Sequence, residues 1–362
     1  MPIKARGAVA RIPDAPVTIE DFMLDEPGPN DVIVKILASG VCHTDLGLKT
    51  GTYGTDGFPF LLGHEGAGVV HQIGENVTRV TVGDHVMLNW RAPCGVCRFC
   101  IKGKHNFCAS SLNAQNKMRD MDGNVLNAAL GIGTFCDYTL VHEVQCVQYD
   151  SSLPPEPMSL IGCGVMTGVG AVLYTADVQQ GESVAVFGCG GVGDSVIQGA
   201  KIAGATTIIA VDIDPKKLEW AKEFGATHTV NASQVDPVEA IKEITKNGVN
   251  HSFEAVGIEQ TLKQALFCRD LAGTCVLIGV PGPGPRLDID IQQFFDLGGS
   301  LTVSWYGNCI PHRDFPILAD WYAQGKLDLD GLVSRKISLD DTEEAFNAMK
   351  RGETLRSVIV FN

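Results

Sequence analysis

The chain has 362 residues, more than one core naturally packs, and 45% of them are hydrophobic, which excludes a disordered polypeptide. Acidic residues outnumber basic ones by 42 to 28, giving a net charge of −14, so nucleic acid, bound through basic contacts to phosphate, is excluded as a partner. The N-terminal MPIKARGAVARIPDAP lacks a secretory apolar segment, and no apolar run reads as the ~18 residues that a bilayer span needs; the expectation is a cytoplasmic protein with no membrane contact.

The first 160 residues hold short β-type runs broken by Gly and Pro, among them DVIVKILASGV, GAGVVHQIG, DHVMLNW and FCDYTLV, predicting an irregular, mostly antiparallel region. Within it stand Cys42 in GVCHTD and His64 in LLGHEG. Each alone reads more often as an ordinary buried side chain than as a ligand. The polar stretch that follows carries Cys94, Cys97, Cys100 and Cys108 in the pattern C-x2-C-x2-C-x7-C. Four thiolates on one short loop can close a tetrahedral shell around a structural zinc. The alternatives are a disulfide pair, disfavoured in a reducing compartment, and an iron–sulfur cluster, which the last spacing fits poorly. Cys163, in GCGV, ends this region, and spacing does not show whether it meets Cys42 and His64.

From about residue 165 the texture becomes alternating strand and helix: SVAVFG, VGDSVIQGAKIAGA, TTIIAVD and PKKLEWAKEFGA, then the buried strands HSFEAVG and GTCVLIGV. Gly188, Gly190, Gly191, Val192 and Gly193 lie in a G-x-G-x-x-G box that follows a strand and opens a helix, where backbone N–H groups face a pyrophosphate. The next strand ends at Asp212, 19 residues after Gly193, placed to accept from the adenosine ribose hydroxyls and to repel a 2′-phosphate. NAD is therefore the expected cofactor. The tail from about residue 306 holds two amphipathic helical stretches and a strand, RSVIVF. The predicted fold is α/β: a β-rich domain over 1–164 and 306–362, with a doubly wound Rossmann domain inserted over 165–305.

GVCHTD, GHEGAGVV, the four-cysteine loop, GCGV and the glycine box stand in the order found in zinc-containing medium-chain alcohol dehydrogenases, and the chain resembles that family over essentially its whole length. Within the family, FPFLLGHE, LNWRAPCGVC, LNAQNKM, GCGVMTGVGA, RDLAGT and SWYGNCIPHRDFP are similar to segments of S-(hydroxymethyl)mycothiol dehydrogenases. The resemblance implies a GroES-like catalytic domain, two zinc ions per chain, and a cleft between the domains that holds the catalytic zinc and the nicotinamide. Cys42, His64 and Cys163 would be the catalytic ligands, Glu65 an alternative fourth, and Cys94, Cys97, Cys100 and Cys108 the structural ones. Thr44 would pass the substrate proton outward and Asp45 would hold the far nitrogen of His64. His43, Lys217 and Arg356 would join the glycine box in binding the cofactor.

The implied reaction is NAD-linked oxidation of a primary alcohol or an S-(hydroxymethyl)thiol adduct, by hydride transfer from a zinc-bound alkoxide, and the reverse aldehyde reduction. A general aliphatic or aromatic primary alcohol dehydrogenase with no thiol requirement is the alternative. A catalytically idle zinc-containing redox sensor using Cys136, Cys146, Cys189, Cys268, Cys275 and Cys309, and a zinc-free quinone reductase, are further ones; the full ligand set speaks against both. A homodimer or homotetramer is expected, with residues 291–305 in the interface. Two departures stand out. Gly47 occupies the position, five residues after the first zinc ligand, where many relatives carry the His that ends the proton relay. The stretch TGTYGTDGFPF also lacks the acidic loop pattern of glutathione-dependent relatives.

Overall fold

A computed structural model of the protein describes residues 2–113 and 117–361. The resemblance segment LNAQNKM falls partly on residues 114–116, outside the described residues. The chain divides into two compact units, Met1–Cys163 with Ile310–Asn362, and Gly164–Cys309.

The first unit begins with β1 (Ile3–Ala10), β2 (Thr18–Leu24), β3 (Asp31–Gly40) and the short helix α1 (His43–Lys49). It continues with β4 (Phe60–Leu61), β5 (Glu65–Ile73), β6 (His85–Leu88), β7 (Met118–Asp120), β8 (Asn127–Ala128), β9 (Tyr138–His142) and β10 (Cys146–Gln148). Helix α2 (Pro155–Leu160) leads through a π-helical turn, Ile161–Val165, into α3 (Met166–Gly170) and a second π-helical turn, Ala171–Ala176.

This helical stretch corrects the reading that no apolar run is long enough for a bilayer. Pro155–Ala176 spans 22 residues at a hydropathy of 1.5, but 72% of its apolar window is buried inside the protein. Its small residues, such as Gly162, Gly168 and Gly170, interrupt the apolar run by eye while leaving the averaged hydropathy high. The burial is that of a core helix.

The second unit is a six-stranded, wholly parallel sheet. Its strands are β11 (Ser183–Phe187), β12 (Thr207–Asp212), β13 (His228–Asn231), β14 (Val249–Glu254), β15 (Arg269–Leu277) and β16 (Ser300–Val303), in the order β13-β12-β11-β14-β15-β16. Between them run α4 (Gly191–Ala203), α5 (Pro215–Phe224), α6 (Pro237–Thr245), α7 (Glu259–Phe267) and α8 (Ile291–Leu297). Val184, Ala185, Val186 and Phe187 are all buried, the continuous apolar run expected of a central strand covered on both faces. The order reverses between β11 and β14, which is the doubly wound arrangement with its switch point at the glycine box.

The chain then returns to the first unit with α9 (Pro311–Ala323), β17 (Val333–Ile337), α10 (Thr342–Lys350) and β18 (Arg356–Val360). There the strands form two sheets, β7-β2-β1-β4-β8 and β10-β6-β5-β3-β18-β17, with β9 also pairing β3. Most pairs are antiparallel, and β4–β8 and β17–β18 are parallel. The central strand β3 links distant sequence: its end at Gly40 pairs with Glu65 of β5 and with Val358 of β18.

Candidate active site

The junction at the end of β3 assembles the first cluster. Cys42 precedes α1, its backbone N–H donating to Asp45 Oδ2 at 3.2 Å. Asp45, fully buried, also accepts from Gly63 N–H at 3.1 Å and from His64 Nδ1 at 2.8 Å through Oδ1. Three hydrogen bonds from two chain segments thus fix the imidazole. With Nδ1 engaged, His64 Nε2 is buried and has no hydrogen-bond partner among the described residues. Cys163 arrives on the π-helical turn, a local widening that often marks functional positions.

The ligand atoms of Cys42, His64, Glu65 and Cys163 all lie within 4.8 Å of one another. The structure therefore brings together three residues whose spacing says nothing about proximity. Two sulfurs, an orphaned imidazole nitrogen and a carboxylate fit a zinc ion, with Asp45 as the partner that fixes the imidazole.

Glu65 carries its own counter-charge. Its Oε2 accepts from the Arg356 guanidinium, and its Oε1 is buried without a hydrogen-bond partner among the described residues. Gly40 is what makes the space: a Cβ there would sit 2.2 Å from Glu65 Oε2 and 2.7 Å from Leu160. Arg356, expected from the resemblance to face cofactor phosphates, is placed on Glu65, with 6% of its surface exposed. His43 is exposed and Thr44 half-buried on α1.

Charge in the cluster is tightly balanced. Cys163 beside it holds the Cys42 thiol well below its ordinary range, against burial, with His64 adding to the effect. Cys42 in turn pushes the Cys163 thiol up, so the pair shares one negative charge. Burial opposes a charge on His64, yet Asp45 and Cys42 outweigh it and keep its pKa well above the usual imidazole value. Burial lifts Glu65 to about 7, with Arg356 pulling the other way. Protons here stand where a metal would, and metal binding must release them.

The second cluster is local. Cys94, Cys97, Cys100 and Cys108 bring their sulfurs within the same 4.8 Å span. Cys94 N–H donates to Cys108 Sγ and Cys97 N–H to Cys94 Sγ, each at 3.3 Å. Backbone donors, that of Cys100 first, lower Cys97 to about 6, while burial lifts Cys100 to about 12.

In the second unit the glycine box is built as its spacing suggests. Gly190 precedes α4, and a side chain there would meet nothing within 4 Å; Gly193 packs so closely that a Cβ would lie 1.8 Å from Gly188 O. One glycine leaves room for a ligand and the other lets helix and strand touch. Asp212, at the end of β12, accepts from Cys189 N–H at 2.8 Å and from Asp214 N–H at 3.0 Å. Lys217 lies half-buried on α5.

The sequence reading missed Asp194, on α4 directly after the box. It is fully buried, and neither carboxyl oxygen has a hydrogen-bond partner among the described residues. It also overlooked Asp56, in the stretch that lacks the glutathione pattern. Asp56 lines a cavity of about 460 Å³ with Phe60, Asn113 and Lys117.

Residues 28–151 match the alcohol dehydrogenase GroES-like domain and residues 191–324 the zinc-binding dehydrogenase domain. An S-(hydroxymethyl)glutathione dehydrogenase from Photobacterium damsela subsp. piscicida is 40% identical over 99% of this chain and 100% of its own length. The chain belongs to the zinc-containing medium-chain alcohol dehydrogenases. Solved structures of the family agree in fold. An alcohol dehydrogenase zinc-binding domain protein from Burkholderia ambifaria superposes with a TM-score of 0.95 at 35% identity, covering all of both chains. The benzyl alcohol dehydrogenase of Acinetobacter calcoaceticus gives 0.93 at 34% identity, over 99% of this chain and 100% of its own.

Proposed function

We propose that this alcohol dehydrogenase oxidises a primary alcohol to its aldehyde, or an S-(hydroxymethyl)thiol adduct to its S-formyl thioester, with NAD, and reduces the aldehyde in reverse. The observation that carries the reading is the buried cluster of Cys42, His64, Glu65 and Cys163, whose orphaned His64 Nε2 calls for a metal. Zinc, held there by Cys42, His64 and Cys163 with Glu65 in reserve, supplies Lewis acidity toward the substrate oxygen. The chain's own residues do the rest. Asp45 orients His64, Arg356 neutralises Glu65 behind the cluster, and Thr44 takes the substrate hydroxyl proton. Gly188, Gly190, Gly191, Val192 and Gly193 seat the pyrophosphate, with His43 and Lys217 assisting. Asp212 accepts from the ribose, which favours NAD over NADP.

In this reading residues 1–164 and 306–362 form the catalytic domain and 165–305 the nucleotide domain. The four-cysteine loop holds a structural zinc, and the thiols of both clusters suit a reducing, cytoplasmic setting. A homodimer or homotetramer fits the exposed Ile291, Phe295, Leu301 and Val303 along α8 and the edge strand β16.

The thiol-adduct form of the substrate is supported by the 40% identical S-(hydroxymethyl)glutathione dehydrogenase. The second reading, an ordinary or aromatic primary alcohol, is favoured by the benzyl alcohol dehydrogenase relative. NADH formation from formaldehyde alone, with mycothiol and with glutathione, beside a panel of primary alcohols and with NADP in place of NAD, separates them. Activity only with a thiol supports the adduct. Thiol-independent turnover of alcohols supports the second reading, and no turnover of either overturns both.

A further inference from the structure

Gly47 removes one side chain from the exit of the site, and the structure fills the space. A Cβ built on Gly47 would lie 2.3 Å from Tyr53 Cε2 and 2.8 Å from Tyr53 Cζ, so the Cε2–Cζ side of the phenol ring occupies the space a side chain on α1 would take. The loop after the helix makes this fold-back possible. Thr52 N–H donates to Gly47 O at 2.9 Å and Gly54 N–H to Gly51 O at 3.0 Å, turning the chain over its own helix end. The hydroxyl-bearing end of Tyr53 therefore stands where a side chain at residue 47 would reach.

Position matters because Thr44 and Gly47 are three residues apart on one helix, and residues so spaced are neighbours on one face. A group covering Gly47 is thus one turn beyond Thr44, on the same side. Tyr53 is 43% exposed, so it reaches solvent while its ring covers Gly47. Burial raises its pKa. The phenol stays neutral, and a neutral hydroxyl offers both a donor and an acceptor.

We propose that Tyr53 is the outer hydroxyl of the proton path, standing in for the side chain that Gly47 lacks. The inference rests on the alcohol dehydrogenase reading of the site. As hydride leaves the substrate carbon for the nicotinamide, the substrate hydroxyl proton passes to Thr44 Oγ. Thr44 gives up its own proton to Tyr53 Oη, directly or through one water, and Tyr53 releases its proton to solvent. Both hydroxyls end as they began, and no base in the path is left charged.

The test uses the zinc-loaded enzyme at saturating NAD. Tyr53→Phe keeps the ring and removes only the hydroxyl; it should lower kcat for alcohol oxidation about 100-fold, the lower end of the usual range for a lost proton-transfer group, with KM for NAD unchanged. Imidazole or a small amine in the buffer should restore part of the rate, and the solvent deuterium isotope effect on kcat should rise. Gly47→Ala, which pushes the ring aside without deleting the hydroxyl, should lose rate in the same way. In Tyr53→Ala/Gly47→His the imidazole should recover rate over Tyr53→Ala alone. A Tyr53→Phe enzyme with kcat within about twofold of wild type, an unchanged isotope effect and no rescue would overturn the proposal and leave the alcohol dehydrogenase reading intact. Wild-type enzyme that turns over neither alcohols nor thiol adducts would overturn both.

Discussion

The two cysteine clusters of the first unit are built by opposite strategies. The loop from Cys94 to Cys108 collects its four sulfurs within one short stretch and supplies its own N–H donors to them. The buried cluster gathers Cys42 before α1, His64 and Glu65 at the start of β5 and Cys163 on a π-helical turn, so it exists only once the strands around β3 have paired. A set of four thiolates closes a metal's shell and gives nothing for a substrate to displace. Two thiolates and one imidazole leave a position open. The difference separates a metal that holds a loop from one that does chemistry.

Breaking the buried cluster should have the largest effect. Cys42→Ala is expected to lower turnover by about a thousandfold or more, given the several kcal/mol a Lewis acid contributes to the transition state. Zinc should fall from two ions per chain to one, with circular dichroism unchanged. Retained activity in that variant would mean that the buried cluster is not the catalytic centre.

The converse variant is Cys97→Ser in the loop. Loss of its zinc is expected to lower the thermal midpoint by roughly 10 °C, as a metal-site lesion of several kcal/mol implies, and to open residues 94–108 to proteolysis. Turnover at low temperature should persist, because the buried cluster is untouched. Equal losses of stability and activity in the two variants would erase the distinction between them.

Asp45→Asn sharpens the contrast more gently. It leaves every ligand side chain in place, weakens the 2.8 Å bond to His64 Nδ1 and, by turning one acceptor oxygen into an NH2, gives up the bond from Cys42 N–H. Zinc affinity of the buried site should fall about 10- to 100-fold, the usual cost of losing an outer partner. Competition with a chelator measures it, and the loop's zinc serves as the internal standard. The loop, which holds its sulfurs with its own backbone, should release zinc as before.

The same local-versus-assembled contrast explains what was legible in the sequence. The four-cysteine loop and the glycine box each lie in a few consecutive residues, so spacing and chemistry exposed them directly. The β-α alternation after residue 165 was readable because its central strands are unbroken apolar runs. The meeting of Cys42, His64 and Cys163 was not readable from spacing; resemblance to a family supplied it, and the pairing of β3 with β5 and β18 is its physical cause. Arg356 on Glu65 was not legible, since the two residues stand 291 positions apart. The ring of Tyr53 over Gly47 was invisible, because no periodicity marks a loop that folds back on its own helix.

Asp194 shows what a buried carboxyl costs when it lacks the partners that Asp45 and Glu65 have. Burial pushes its pKa well above the usual carboxylate value, Asp212 adds to the push, and Lys217 pulls against it. Below an unfolded-state pKa of about 3.9 both states are protonated and the residue costs little through its charge. As pH rises past that point the unfolded chain ionises while the native carboxyl does not, and stability is lost until the native pKa is reached. Asp194→Leu, which keeps the branched four-atom outline of the side chain, though larger, and has nothing to desolvate, should therefore stabilise the protein by about 1–3 kcal/mol at pH 8 and by less at pH 4. Urea midpoints of the two proteins at both pH values measure the difference. A gain of equal size at pH 4 and pH 8 would show that packing, and not an unpartnered carboxyl, sets the cost, and Asp194 would then join the partnered carboxylates of the first unit instead of standing apart from them.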